Sequence, residues 1–193
     1  MNHTRAIKAV CFDVFGTLIS YVGQRTNPYR HLLASPGIQE QHPFLTRNSP
    51  IEQFAIETGR SNLIPTIRKE LDAEIGKLRL FPEVAETFDR LHDRHLKIAV
   101  CSNLAYEYGE PVRKLLPGMA AYVFSYEIGF AKPHPAIYRE VCLALSLEPS
   151  EIFFIGDSKR CDVHGPIQFG MQAHWLDRRS RINLTDIFAV LGT

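Results

Sequence analysis

Apolar positions along the chain fall into two spacings. Five short runs rich in β-branched and aromatic residues, at Ile7 to Phe12, Leu96 to Cys101, Tyr122 to Ser125, Ile152 to Ile155 and Ala173 to Leu176, predict strands. Between them the spacing lengthens to that of helices, over Glu83 to Arg94, Tyr106 to Leu116, Ala136 to Leu145 and, more briefly, Asp162 to Phe169. In the first helix Val84, Phe88 and Leu91 share one face, with Glu86, Asp89 and Arg90 on the other. Strands alternating with helices in this way predict βαβ units, hence an α/β fold with a parallel sheet covered on both faces. Ligands of such sheets bind beyond the carboxyl ends of the strands, so the residues just after each run are the place to look.

Residues from Ser20 to Arg79 break the alternation. They show no convincing strand and carry Pro28, Pro36, Pro43, Pro50 and Pro65. Ser49-Pro50-Ile51-Glu52 reads as a capping box with proline at the first helical position, and Gly59 as the stop. A second helix is expected from Pro65 to about Leu78, and a shorter one over Tyr29 to Ala34. The pattern predicts a helical insert at 20–79 within a core made of 1–19 and 80–193.

Composition narrows the class. In 193 residues, 22 basic side chains face 21 acidic ones, and 45% of positions are hydrophobic, which excludes disordered, collagenous and disulfide-stapled chains. Near-neutral charge argues against a nucleic-acid partner, and no apolar run approaches the ~20 residues that span a bilayer. Met1 to Lys8 show no signal-peptide pattern, and Cys11, Cys101, Cys142 and Cys161 are too dispersed for a metal site or a disulfide framework. The expectation is a cytoplasmic protein with reduced thiols.

The strand ends then carry the chemistry. Asp13-Val14-Phe15-Gly16-Thr17-Leu18 follows the first run, Ser102-Asn103 the second, Lys132-Pro133 precedes a helix, and Gly156 to Asp162 follows the fourth run. In a parallel sheet these sites converge on one edge, which suits a phosphoryl group. An aspartate attacks phosphorus only when its repulsion with the phosphate oxygens is cancelled. Mg²⁺ held by Asp13 and Asp157 would do that. Lys132 would neutralise the nucleophile and the transferring oxygens, while Thr17 and Ser102 donate hydrogen bonds. Gly16 would let backbone amides approach the anion. An aspartyl intermediate splits one hard displacement into two easier ones.

In this order the motifs F-D-V-F-G-T-L at 12–18, V-C-S-N at 100–103, A-K-P-H-P-A-I-Y at 131–138 and I-G-D-S-x₃-D at 155–162 resemble the haloacid dehalogenase (HAD) superfamily, over nearly the whole chain. The resemblance implies a Rossmann-like core with a small C1-type helical cap. It also implies Asp13 as nucleophile, Lys132 as the basic catalytic residue, and Ser102 and Asn103 near the phosphate. Mg²⁺ would be held by Asp13, the Phe15 backbone carbonyl and Asp157, with Asp162 as a further or water-mediated ligand. The implied partner is a small phosphorylated metabolite.

Phe15 departs from the phosphatases, which place there a second aspartate that protonates the leaving oxygen. Such help is typically worth about 10²- to 10⁴-fold, so a slow enzyme, one restricted to good leaving groups, or one with a substitute donor is expected. His31 and His42 are candidates for that donor. An aromatic residue at this position is similar to the metal-independent 2-haloacid dehalogenases. Gly156-Asp157-Ser158 and Asp162 are unlike their S-S-N-x-x-D motif, and no Arg-x-Lys-Gln stretch is present. Phosphonoacetaldehyde hydrolases also lack the second aspartate but use a cap lysine. Here Lys69 and Lys77 read as surface residues. Three alternatives therefore stand: a Mg²⁺-dependent phosphatase, a dehalogenase-like hydrolase, and a HAD-fold module that binds metal and anion with little turnover. Arg25, Arg30, Arg47 and Arg60 are candidate anion contacts from the insert, though each reads more simply as surface charge. Trp175 reads as a buried strand end.

Overall fold

The computed structural model describes residues 6–33, 43–180 and 183–191; Ala34, Pro36 and His42 lie outside them. Ala9–Phe12 forms β1, buried along its whole length, as its unbroken apolar run demands of a central parallel strand. Lys97–Ser102 (β4) and Ile152–Gly156 (β6) pair with it in parallel, aligning Phe12 with Val100 and with Ile155. Ala121–Phe124 (β5) and Gln172–Trp175 (β7) complete a five-stranded parallel sheet in the order β5-β4-β1-β6-β7. The chain leaves β1 toward one edge and later returns to fill the other. The carboxyl end of β1 therefore sits where the strand order reverses, the crevice that binds ligands in such sheets.

Val84–Asp93 (α3), Tyr106–Leu115 (α4) and Pro135–Leu145 (α6) are the helices the spacing predicts, each within two residues of its expected ends. The expected Asp162 to Phe169 helix is instead a wide π-type turn over Lys159–His164 followed by Gly165–Phe169 (α7). A one-turn helix, Ser125–Ile128 (α5), follows β5. The two faces of the sheet bury separate cores, with Val10 and Phe12 on one side and Cys11 and Cys101 on the other.

The 20–79 segment differs more from its expectation. Ile19–Tyr21 (β2) and Leu78–Leu80 (β3) pair as an antiparallel ribbon, Ile19 opposite Leu80, so the segment does carry strand. Three residues hold too little alternation to be read from sequence, and this pairing is made between positions 59 apart. Between the two strands lie a 3₁₀ turn, Pro28–Leu32, and the helices Ile51–Glu57 (α1) and Ile64–Ile75 (α2). Helix α2 stops before Gly76, and Leu78 joins the ribbon rather than the helix. The capping box at Ser49 is not formed. Pro50 is the residue before the helix, and the Ile51 amide donates to Glu107 Oε1 at 2.5 Å from the far side of the interface. No helix among the described residues is long and apolar enough to cross a membrane.

Candidate active site

The turn after β1 brings Asp13 to the sheet edge, where it meets side chains from three other strand ends. Lys132 Nζ, almost wholly buried, donates to Asp13 Oδ1 (2.8 Å), Asp162 Oδ1 (2.6 Å) and the Cys101 carbonyl (2.9 Å). Ser102 Oγ donates to the same Asp13 oxygen at 2.8 Å. Asn103 grips the Lys132 backbone from both sides: its Oδ1 accepts from the Lys132 amide (2.7 Å) and its Nδ2 donates to the Lys132 carbonyl (3.0 Å). The lysine is thus aimed by a residue 29 positions earlier.

Asp157 and Asp162 come from the loop after β6. The Ser158 amide donates to Asp162 Oδ2 (2.9 Å), Tyr138 Oη donates to the Cys161 carbonyl (2.6 Å), and Trp175 Nε1 donates to the Asp157 carbonyl (2.9 Å). Trp175 is half-buried and acts as a brace for that loop rather than as core. A Cβ on Gly156 would lie 2.4 Å from Asp162 Cγ, and one on Gly16 would lie 2.1 Å from Asp157 Oδ2. Gly16 also holds φ +83°, so its absent side chain is what lets Asp157 close on the turn after Asp13. Its amide donates to the Ile19 carbonyl, inside the turn. Thr17 is fully buried, and its hydroxyl has no hydrogen-bond partner. The turn's own bonds run to the Val14 and Ile19 carbonyls, leaving the Phe15 carbonyl outside them.

Asp13, Asp157 and Asp162 each offer an oxygen, all within 4.8 Å of one another. Three carboxylates share one ammonium. Burial, with Asp13's charge adding to it, pushes the Asp157 carboxyl above its usual range. Burial likewise lifts Asp162 to about 6, Lys132 pulling against it and Asp13 adding to it. For Lys132 burial works against the charge, but Asp13 and Asp162 outweigh it and hold the ammonium well above its ordinary value. A cluster of hard oxygen donors with surplus negative charge fits a small divalent cation such as Mg²⁺, which would lower both raised carboxyls.

Phe15 does not reach this cluster as a proton carrier. It stacks on Tyr21 (5.1 Å between centroids) and meets Tyr108 edge-on (5.6 Å). These rings, with Tyr29, Phe44 and Leu104, line a cavity of about 220 Å³ between residues 20–79 and the core. Arg25, Asn27 and Asn103 supply its polar atoms. Of the expected anion contacts, Arg30 and Arg47 are held in ion pairs with Glu70 and Glu57 (both 2.7 Å), and only Arg25 reaches the cavity. His31 bonds Glu70 at 3.0 Å and is not part of the lining. Lys69 is exposed, and Lys77 donates to the Gln24 carbonyl at 3.3 Å.

A scan against protein-family models matches residues 7–170 to haloacid dehalogenase-like hydrolase. The chain belongs to this family. A glyceraldehyde 3-phosphate phosphatase of Methanopyrus kandleri is 32% identical over 105 residues, 52% of this chain and 44% of that protein. The chain thus spans about half the length of the curated phosphatases it matches first. Haloacetate dehalogenase H-2 of Moraxella is 26% identical over 202 residues, covering 90% of this chain and 87% of that one. Among solved structures, a HAD family enzyme of Bacteroides thetaiotaomicron in complex with magnesium and inorganic phosphate superposes with TM-score 0.73, at 17% identity over 95% of this chain and 99% of that one. At that identity the likeness bears on the Rossmann-like fold alone.

Two groups at this HAD site are not signalled by any motif. Arg178 donates from Nε to the Gly16 carbonyl (3.0 Å), from Nη2 to the Thr17 carbonyl and from Nη1 to Glu83 (2.5 Å), with its guanidinium over Phe81. It ties together the chain entering and leaving the 20–79 segment. Glu74, buried on α2, accepts from the Tyr108 hydroxyl (2.7 Å), the Asn27 amide (2.8 Å), and the Thr26 hydroxyl and amide. A signal for Glu74 exists: it follows Ile67 and Leu71 on the buried stripe of its helix, where a carboxylate needs a reason.

Proposed function

We propose that this HAD hydrolase is a Mg²⁺-dependent phosphatase acting on a small phosphorylated metabolite through an aspartyl-phosphate on Asp13. The observation that carries the reading is the surplus of carboxylate at the strand ends, three acids around one lysine with two of them pushed toward neutrality. Asp13, Asp157 and the Phe15 carbonyl would hold the ion, with Asp162 as a further or water-mediated ligand, and the ion would cancel the repulsion between Asp13 and the phosphate oxygens. Lys132 pairs with Asp13 at 2.8 Å and offers positive charge to the transferring oxygens. Ser102, already donating to Asp13, orients the attacking carboxylate. Gly16, Thr17 and Asn103 shape the same edge. Residues 20–79 act as the cap over it, in a protein whose four unpaired cysteines fit a reducing, cytoplasmic setting.

A second reading, a dehalogenase-like hydrolase with Asp13 attacking carbon, is favoured by Phe15 and its aromatic surroundings. Metal dependence separates the two. Phosphate release from a panel of phosphate esters, measured with Mg²⁺, with a chelator and in Asp13→Asn, is expected only when both the ion and Asp13 are present. Chelator-indifferent release of halide from haloacids would transfer the proposal to the dehalogenase reading. Mg²⁺ binding without turnover of either class would support the binding-module reading.

A further inference from the structure

The cavity between residues 20–79 and the core bears on the leaving group a substrate could carry. Phe15, two residues along the chain from Asp13, and Asn103, next to Ser102, whose hydroxyl donates to Asp13, are part of its lining. Behind them the lining is aromatic and aliphatic, and among the described residues it holds no carboxyl and no imidazole. Its phenols are poor proton donors. Tyr29 Oη is committed to Glu107 and Tyr108 Oη to Glu74. Burial, and then those carboxylates, push both hydroxyls above their usual range. Tyr21 is pushed up by burial as well. None of the described lining residues can hand a proton to a departing oxygen near neutral pH. The space itself, about 220 Å³ walled by stacked rings, fits one planar apolar group.

We infer that the substrate class is a monoester whose phosphoryl oxygen is borne by a flat, weakly basic group: an aryl or enol phosphate with its ring in the Phe15–Tyr108 cavity. The inference rests on the phosphatase reading of Asp13. In the first step the Asp13 oxygen–phosphorus bond forms and the bond from phosphorus to the ring oxygen breaks. The electron pair leaves with that oxygen as an aryloxide, which takes its proton from solvent. Water then cleaves the aspartyl-phosphate, giving inorganic phosphate, the Asp13 carboxylate and one proton. A phenol of pKa about 10 departs unaided far more readily than an alkanol, whose basicity is close to that of water at about 15.7. Arg25, whose Nε donates to Glu74 Oε1 at 3.4 Å, is the positively charged side chain among the described lining residues.

The test is a leaving-group series on the full chain with Mg²⁺: 4-nitrophenyl, phenyl and glycerol phosphates, with acetyl phosphate as a good leaving group without a ring. Glycerol phosphate is expected to be at least about 100-fold slower in kcat/KM than phenyl phosphate, the size of the missing proton donor's contribution. The KM for phenyl phosphate should lie at least tenfold below that for acetyl phosphate. Phe15→Asp should close the gap between glycerol and phenyl phosphates by tenfold or more, and the wild-type series stands alone if that variant does not fold. Equal rates for alkyl and aryl esters would overturn the inference while leaving the phosphatase reading intact. So would equal KM values for acetyl and phenyl phosphates, which would remove the ring from the cavity. Failure to turn over even acetyl phosphate would overturn the phosphatase reading itself.

Discussion

Two groups of carboxylates in this molecule, buried except for the exposed Asp157, are treated oppositely by their neighbours. At the strand ends Asp13, Asp157 and Asp162 crowd around Lys132, and two of the three have raised pKa values. At the seam between residues 20–79 and the core, Glu74 collects donors from Thr26, Asn27 and Tyr108. Burial pushes its carboxyl up, yet those hydrogen bonds more than reverse that and leave it below the usual range. Glu107, beside it on α4, accepts from Tyr29 and from the Ile51 amide. The satisfied acids join two parts of the chain. The under-compensated ones hold electrostatic energy that a cation and a phosphoryl group can release, which is the mark of a functional site rather than a structural one.

Removing the single compensating charge should give the largest effect. In Lys132→Met, three acids face one another with no ammonium, and breaking a buried pair costs about 3–5 kcal/mol. Urea unfolding is expected to show a loss of that order without metal and a smaller loss with Mg²⁺, together with loss of turnover. An equal loss in both conditions would break the contrast, because the cluster would then not be short of cation.

That contrast was only half legible in the sequence. Asp13, Ser102 and Asp157 could be placed because a parallel sheet puts its strand ends on one edge, whatever the loops do. Lys132 is placed on the same edge by its position just before a helix. What the spacing does not encode is direction at a turn. Gly16 is expected to let backbone amides approach an anion, and its own amide is engaged inside the turn, while Thr17 is buried with an unpartnered hydroxyl. The β2–β3 ribbon escaped because each strand has three residues and its partner lies far along the chain. Ser49 was read as a cap because helix starts are judged from local sequence, whereas the donor at Ile51 is satisfied from Glu107, 56 residues away.

The next effect sharpens the contrast through pH. Asp157 and Asp162 have raised folded pKa values, so their contribution favours the folded state below the ordinary carboxyl range and is lost as pH rises above it, for Asp162 through about 6. Glu74 is depressed, so its contribution is present above its unfolded value of about 4.5 and lost as pH falls through the folded one. Glu74→Ala is therefore expected to cost about 2–4 kcal/mol at pH 7, leaving the buried Tyr108 hydroxyl and two part-buried amides without an acceptor, and less in acid. Mg²⁺ should behave oppositely to that variant's Mg²⁺-independent loss, raising Tm more at pH 7.5 than at pH 5, since protons compete for its ligands. Thermal melts at the two pH values, with and without the ion, check both signs.

The smallest expected effect concerns the residue that links the two regions. Arg178 holds the Gly16 and Thr17 carbonyls on one side and Glu83 on the other, so the turn after Asp13 and both ends of the 20–79 segment share one guanidinium. Methionine would keep the stem's packing on Phe81 but release three hydrogen bonds. Lysine would restore the charge to Glu83 without the fork that spans two carbonyls. If the guanidinium merely stabilises the fold, Arg178→Met lowers Tm and leaves kcat per folded molecule unchanged. If it fixes the turn that aims Asp13 and admits Asp157, the variant lowers kcat by about tenfold, about 1.4 kcal/mol of barrier, with KM little moved and lysine recovering only part. The second outcome is the one expected. Gly16 approaches Asp157 too closely to tolerate even a methyl group, so a small rotation of this turn shifts the carboxylates relative to each other while leaving the cavity that would hold the leaving group in place.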